Sequence, residues 1–117
     1  MANSTIKARI EREGSFTPSS TGITTGEVRV VQRNKICEVH LYSRNSSYIE
    51  ANASFYLGKI SGITMPTQFF RAFCGVGEQP YSIDKMAYLN ITTDGEIRIV
   101  AQARWLSADI HLVYTVN

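Results

Sequence analysis

The sequence of 117 residues lacks any hydrophobic run near the ~20 residues that a membrane-spanning helix needs. Its beginning also lacks the continuous apolar segment of a secretory signal, so we expect neither membrane insertion nor a secretory leader. No block of lysine and arginine stands out, and the net charge is only +2. Nucleic acid is therefore a poor candidate partner.

Cysteine and histidine are scarce. Cys37 and Cys74 are too few for a disulfide scaffold, and we predict two buried thiols in a protein made in a reducing cytoplasm. His40 and His111 have no cysteine or carboxylate at a familiar metal-ligand spacing, and His40 is predicted to be a solvated strand residue. No nucleophile elbow or dinucleotide fingerprint occurs. We therefore expect no metal, no cofactor and no enzymatic activity.

The clearest pattern in the sequence is an alternation of apolar and polar residues on both sides of one turn. Leu89 and Ile91 alternate with polar residues before Asp94-Gly95, and Ile97 and Ile99 do so after it. Alternation places one set of side chains on one face of a strand, and Asp-Gly is a strong hairpin signal. Gly95 is predicted to take a positive φ, which L-residues resist. This hairpin indicates a β protein.

Further strands are predicted on both sides of that hairpin. Residues 27–43 form a second hairpin around Arg33-Asn34-Lys35, with Cys37, Val39 and Leu41 on its apolar face. The remaining predicted strands are residues 4–12, where a short helix is the alternative, and residues 55–60, 68–76 and 109–116. Residues 14–26, 44–47 and 75–85 are expected to be loops, and residues 105–108 a bend.

Seven to nine short strands with no long helix predict an antiparallel β-sandwich of jelly-roll type. Residues 1–25 are predicted to be an N-terminal strand and linker, a candidate neck to an upstream module, and residues 26–117 the sandwich domain. One domain of this size has a modest core, so oligomerisation is a natural supplement.

Exposed aromatic side chains are the most informative candidates for function, because sugar and peptide sites use aromatic faces with a few polar anchors. Tyr48 and Tyr81 lie in or beside predicted loops, as does Tyr88, and Tyr81 has Glu78 and Asp84 close in sequence. Trp105 is the only tryptophan; a core or subunit-interface anchor is the alternative to a ligand platform. The candidate ligand-contact residues are Tyr48, Glu78, Tyr81, Asp84 and Trp105.

The order of features from residue 26 to 117 resembles a known family. A strand, basic turn and strand (residues 26–41) precede Leu57-Gly-Lys-Ile, Phe69-Phe-Arg and a glycine-rich loop. The hairpin at residues 87–99, a lone Trp105 and a final strand follow. This sequence is similar to the C-terminal β-sandwich domains of bacteriophage tail fibres and baseplate receptor-binding proteins. Where members carry a second proline, this chain reads Pro66-Thr-Gln-Phe-Phe-Arg-Ala.

The resemblance implies a homotrimeric knob on a virion appendage, made in the bacterial cytoplasm, that binds host cell-surface polysaccharide or teichoic acid. Its other partners would be tail and baseplate proteins. A purely structural trimerisation or accessory baseplate module is the alternative, and a glycan-degrading enzyme is a less favoured one. No functional motif of the family transfers residue by residue.

Overall fold

Nine strands make up the computed structural model, which describes residues 11–80 and 82–116. The described part of the chain contains no helix, and hence none long and apolar enough to cross a membrane. The strands, in chain order, are β1 (Glu11–Glu13), β2 (Ser15–Pro18), β3 (Ile23–Arg33), β4 (Ile36–Ile49), β5 (Phe55–Ser61), β6 (Phe70–Gly77), β7 (Lys85–Ile91), β8 (Glu96–Ala101) and β9 (Trp105–Thr115).

All nine strands pair antiparallel in one sheet, in the order β1-β3-β4-β9-β6-β7-β8-β5-β2. The sheet curls until it is nearly closed into a barrel. Gly14, between β1 and β2, marks the closure, because the chain there leaves its pairing with β3 and joins β5. The amide of Gly14 donates a hydrogen bond of 2.7 Å to the carbonyl oxygen of Val30. The all-β antiparallel prediction is confirmed, whereas a division into two separate sheets is not.

Both predicted hairpins are confirmed. The β7–β8 turn closes through bonds between the Gly95 amide and the Thr92 carbonyl and between the Thr92 amide and the Glu96 carbonyl, each 3.0 Å. Gly95 has the predicted positive φ, at 88°. The β3–β4 turn places Asn34 at a φ of 56°, a conformation that asparagine tolerates better than most residues.

Four predicted irregular segments were wrong in whole or in part, and one of them is the predicted loop at residues 75–85, whose first three residues belong to β6. Residues 14–26 contain β2 and the start of β3, because Phe16 pairs with Ile60 and Ile23 with Asn45. Residues 44–47 belong to β4, although a register shift separates Arg44 from Ile49. Residues 105–108 begin β9. In each case the partner strand outweighs a local composition that favours loops. Of the predicted strand at residues 4–12, positions 4–10 lie outside the described residues.

The pairing of β4 with β9 runs from Ile36 opposite Thr115 to Ile49 opposite Trp105. The interior that it borders is filled by alternating apolar side chains, and Cys37 and Cys74 are buried free thiols, as predicted. Burial, with a smaller contribution from the Asp109 charge, raises the pKa of the Cys74 thiol to about 12. Such a thiol is unreactive at neutral pH, so both cysteines serve as small core residues.

Candidate functional site

Three of the predicted ligand-contact residues come together near the beginning of β9. Glu78 and Asp84 lie in the connection between β6 and β7, and Tyr48 lies close to the end of β4. Arg104, which the sequence argument did not select, joins them from the connection between β8 and β9. The fourth predicted residue, Tyr81, lies outside the described residues.

What we call the loop cluster consists of Tyr48, Glu78, Asp84, Lys85 and Arg104. The guanidinium of Arg104 lies 4.3 Å from the centre of the Tyr48 ring, and its Nε donates a hydrogen bond of 3.0 Å to Glu78 Oε1. The Nζ of Lys85 lies 3.8 Å from Glu78 Oε2 and 3.5 Å from Asp84 Oδ1. The loop cluster is therefore a chain of alternating charges that begins on an aromatic ring.

The charges of the loop cluster are satisfied within it. The hydrogen bond from Arg104 to Glu78 raises the pKa of the guanidinium, which keeps this group charged. Both carboxylates face a cation, and exposed ion pairs of this kind contribute little to stability. The loop cluster therefore links the connection after β6 to the residue before β9 through exposed charged groups.

Trp105 is a core residue and offers no surface to a ligand. Its side chain is completely buried, and its ring packs edge-on against Phe55 with the ring centres 5.6 Å apart. An edge-to-face pair of this kind adds to the stabilisation from burial. The alternative considered from the sequence, a core anchor, therefore describes this residue, and Trp105 leaves the set of candidate ligand contacts.

The two most exposed large apolar side chains among the described residues, Met86 and Phe73, lie on the outer face of β6 and β7. Phe73 and Tyr88 are directly opposite each other, with ring centres 5.2 Å apart, and they are 61% and 40% exposed. Met86, two residues before Tyr88, is 70% exposed. We call these three residues the aromatic face. Clustered exposed apolar residues of this kind mark interaction sites more often than chance.

Polar groups border the aromatic face on one side. The guanidinium of Arg71 lies 5.3 Å from the centre of the Tyr88 ring, and its Nε donates a hydrogen bond of 3.2 Å to Asn90 Oδ1. Arg71 forms no ion pair with any described residue, so its charge is available to a ligand. Beside the rings lies a shallow groove of about 180 Å³, which is lined by Phe73, Met86, Ala87, Tyr88, Val100 and Gln102.

Sequence reasoning selected Tyr88 as an exposed aromatic but missed Phe73 and Met86. The alternation of buried Leu89 and Ile91 with Tyr88 and Asn90 was the available signal for the outer face of β7. On β6, neighbouring phenylalanines concealed the alternation until pairing with β7 showed that Phe73 points outward. The aromatic face combines an apolar platform with donors and acceptors at its border, an arrangement suited to a sugar ring.

No group of three or more histidine, cysteine, aspartate and glutamate side chains within residues 11–80 and 82–116 is arranged to hold a metal ion. The two histidines instead form an exposed pair on the outer face of β4 and β9. No protein-family model matches this chain, and no curated protein matches it significantly.

Proposed function

We propose that this chain is the receptor-binding domain of a bacteriophage tail fibre or baseplate appendage, and that it attaches the virion to a saccharide on the host cell surface. The aromatic face is the observation that carries the proposal. It exposes Phe73 and Tyr88 beside an uncompensated Arg71 and the amide of Asn90. Aromatic rings bind the apolar face of a sugar, and the polar groups select its hydroxyl or anionic substituents.

The proposal includes a homotrimer at the tail tip or baseplate, in contact with other tail or baseplate proteins. Weak saccharide binding at one site is amplified when several copies are held on one particle, and this favours a multivalent arrangement. A cell-wall polysaccharide or teichoic acid is the proposed receptor. The nearly closed antiparallel sheet is compatible with the jelly-roll-like sandwich that the resemblance implies, and that finer description belongs to the proposal.

A second candidate function is a structural trimerisation or accessory baseplate module that touches no receptor. Its support is the same exposure: Phe73 and Met86 would be covered if a neighbouring copy packed on the aromatic face. Ile36 and Val113, on the outer face of β4 and β9, are also more than half exposed. Under this alternative, the protein binds no saccharide, and substitutions on the aromatic face change its oligomeric state.

The experiment combines mass determination in solution, binding to a glycan array and to bacterial cells, and two variants. Tyr88→Ala is expected to weaken saccharide binding by about tenfold, which corresponds to about 1.4 kcal/mol of lost stacking, and to leave the trimer mass unchanged. Val113→Ala is the matched control, because it removes an exposed apolar side chain from a different face. It is expected to bind as the parent does.

Three results would contradict the proposal. A trimer that binds no glycan and no host cell, and that dissociates when Tyr88 is replaced, would favour the structural module. A monomer would count against both functions. If saccharide binding is present but the variants weaken it equally, the receptor site lies away from the aromatic face.

A further inference from the structure

Both histidines of this chain lie side by side, although they are far apart in sequence. His40 on β4 is directly opposite His111 on β9, and the centres of their rings are 4.9 Å apart. Their side chains are 51% and 58% exposed. The pairing follows from the strand register, so it is a property of the fold and not only of two side-chain rotamers.

Charged groups surround the pair on the same outer face. His111 Nε2 lies 2.9 Å from Glu38 Oε2, and His40 Nε2 lies 3.7 Å from Asp109 Oδ1. Two arginines, Arg29 and Arg33, approach Glu38 at 3.7 Å and 3.9 Å. The hydrogen bond with His111, with smaller contributions from the arginines, lowers the pKa of Glu38, which therefore remains a carboxylate at neutral pH.

We propose that His40 and His111 form a two-nitrogen chelate for a divalent transition-metal ion of the zinc or copper type. Directly opposite residues of an antiparallel pair have Cβ atoms about 4.5–5.5 Å apart, which brings two imidazoles within reach of one ion. Zinc binds histidine nitrogen at about 2.0–2.1 Å, and imidazole suits zinc, copper and nickel. Water completes the coordination, because the protein supplies two ligands.

The sheet prepares this chelate in two ways. The β4–β9 ladder continues on both sides of the pair, from Glu38 opposite Val113 to Tyr42 opposite Asp109, so the strand pairing fixes the separation of the two backbones. Exposed side chains change rotamer within picoseconds to nanoseconds, so each of these half-exposed rings can turn a nitrogen toward a shared ion. The carboxylates of Glu38 and Asp109 accept hydrogen bonds from the outer ring nitrogens or from bound water, as outer ligands do at metal sites.

The test is a titration of tag-free protein with zinc chloride at a pH slightly above neutral, where metal competes least with protons for the rings. Because the chain has two histidines, each ring is followed separately by its carbon-bound proton signals in NMR. Both sets of signals are expected to shift together and to saturate at one zinc ion per chain. Magnesium chloride, which prefers oxygen ligands, is expected to shift neither.

Two variants locate the site. His40→Asn and His111→Asn are each expected to lower the zinc affinity by about tenfold or more, because each removes one of the two nitrogens. Asp84→Asn, which removes an exposed carboxylate from the loop cluster, is the matched control and is expected to bind zinc as the parent does. The melting temperature of the parent should rise with zinc, and that of His40→Asn should rise less at the same zinc concentration.

The proposal is overturned if the ring signals do not respond at millimolar zinc, or if magnesium shifts them equally. It is also overturned if the single histidine variants bind zinc as tightly as the parent, because the ion would then lie elsewhere. Folding of each variant is checked by its amide spectrum, so a loss of binding is distinguished from a loss of structure.

Discussion

Ser43 and Ser107 are completely buried serines on the neighbouring strands β4 and β9, yet they differ in hydrogen bonding. The hydroxyl of Ser107 accepts a hydrogen bond of 3.0 Å from the Tyr42 hydroxyl and donates one of 3.2 Å to the Gln79 carbonyl oxygen. The hydroxyl of Ser43 has no partner among the described residues. A buried hydroxyl without a partner costs free energy, whereas a paired one contributes to stability.

This difference predicts opposite effects from the same substitution. Ser107→Ala is expected to lower the free energy of unfolding by about 1 kcal/mol, because it removes one hydrogen bond with Tyr42 of β4 and one with Gln79 of the β6–β7 connection. Ser43→Ala is expected to be neutral or to raise it by up to about 1 kcal/mol, because it deletes an unpaired polar atom. Urea denaturation of both variants measures the effects. Equal losses would mean that Ser43 is hydrogen-bonded in solution.

Gly95→Val is expected to destabilise the protein by about 1 kcal/mol or more, since a β-branched residue resists a positive φ. A Cβ atom at this position would also lie 2.7 Å from the carbonyl oxygen of Ile60. Thr93→Val, at an exposed position of the same turn, is the control and should have little effect. An unchanged melting temperature for Gly95→Val would contradict the turn geometry.

Gly14→Ala tests the closure of the sheet. A Cβ atom on Gly14 would overlap the carbonyl oxygen of Ser61 and would lie 2.8 Å from a methyl carbon of Val30. Relieving these contacts requires the backbone to shift, at a cost of about 1–3 kcal/mol. Gly26→Ala is a matched control, because its Cβ would meet Tyr42 at an ordinary 3.5 Å. Comparable thermal stability of the two variants would show that the closure accommodates a side chain.

Three buried groups predict a loss of stability at alkaline pH. Burial raises the pKa of Cys37, Cys74 and Tyr114 in the folded state. For a group whose folded pKa is raised, the stabilisation is complete below the unfolded pKa and is lost as pH rises toward the folded one. For Cys74 this window runs from about 9 to about 12.

The measurement is the free energy of unfolding between about pH 8 and pH 11, where each such group lowers stability by up to about 1.4 kcal/mol per pH unit. Cys74→Ala removes one of these groups, so its stability should decline less steeply than that of the parent. The comparison uses slopes, because the substitution changes stability at every pH. Parallel declines would mean that Cys74 ionises equally in both states.

Local sequence signals predicted the turns, whereas most of the strand residues that were missed are strands because of long-range pairing. The turns at Gly95 and Asn34 could be predicted because the backbone preferences of glycine and asparagine act within a few positions in sequence. Ser15–Pro18 reads as a loop because its strand character depends on β5, about forty residues later in the chain. The same limit explains the β4 extension to Ile49, which pairs with Trp105.

The candidate sites also combine residues that local sequence could select with residues that only the fold brings together. Tyr48, Glu78 and Asp84 could be selected because they lie in or beside polar segments, but the role of Arg104 in joining them required the fold. Nothing in the spacing of two histidines indicates that β4 and β9 place them opposite each other. The outer face of β6 was equally hidden, because a run of phenylalanines fits either parity until a partner strand is known.

The pairing of β4 with β9 also affects how the chain folds. Ile36 of β4 pairs with Thr115 of β9, so this interior strand cannot complete its pairing until the last strand of the described chain is present. Pairing residues so distant in sequence costs the entropy of closing a long loop before any contact compensates for it. Such pairings therefore form slowly. During synthesis, β4 therefore keeps one edge unpaired until β9 leaves the ribosome. That interval is when a chaperone, or a neighbouring nascent chain, has access to it.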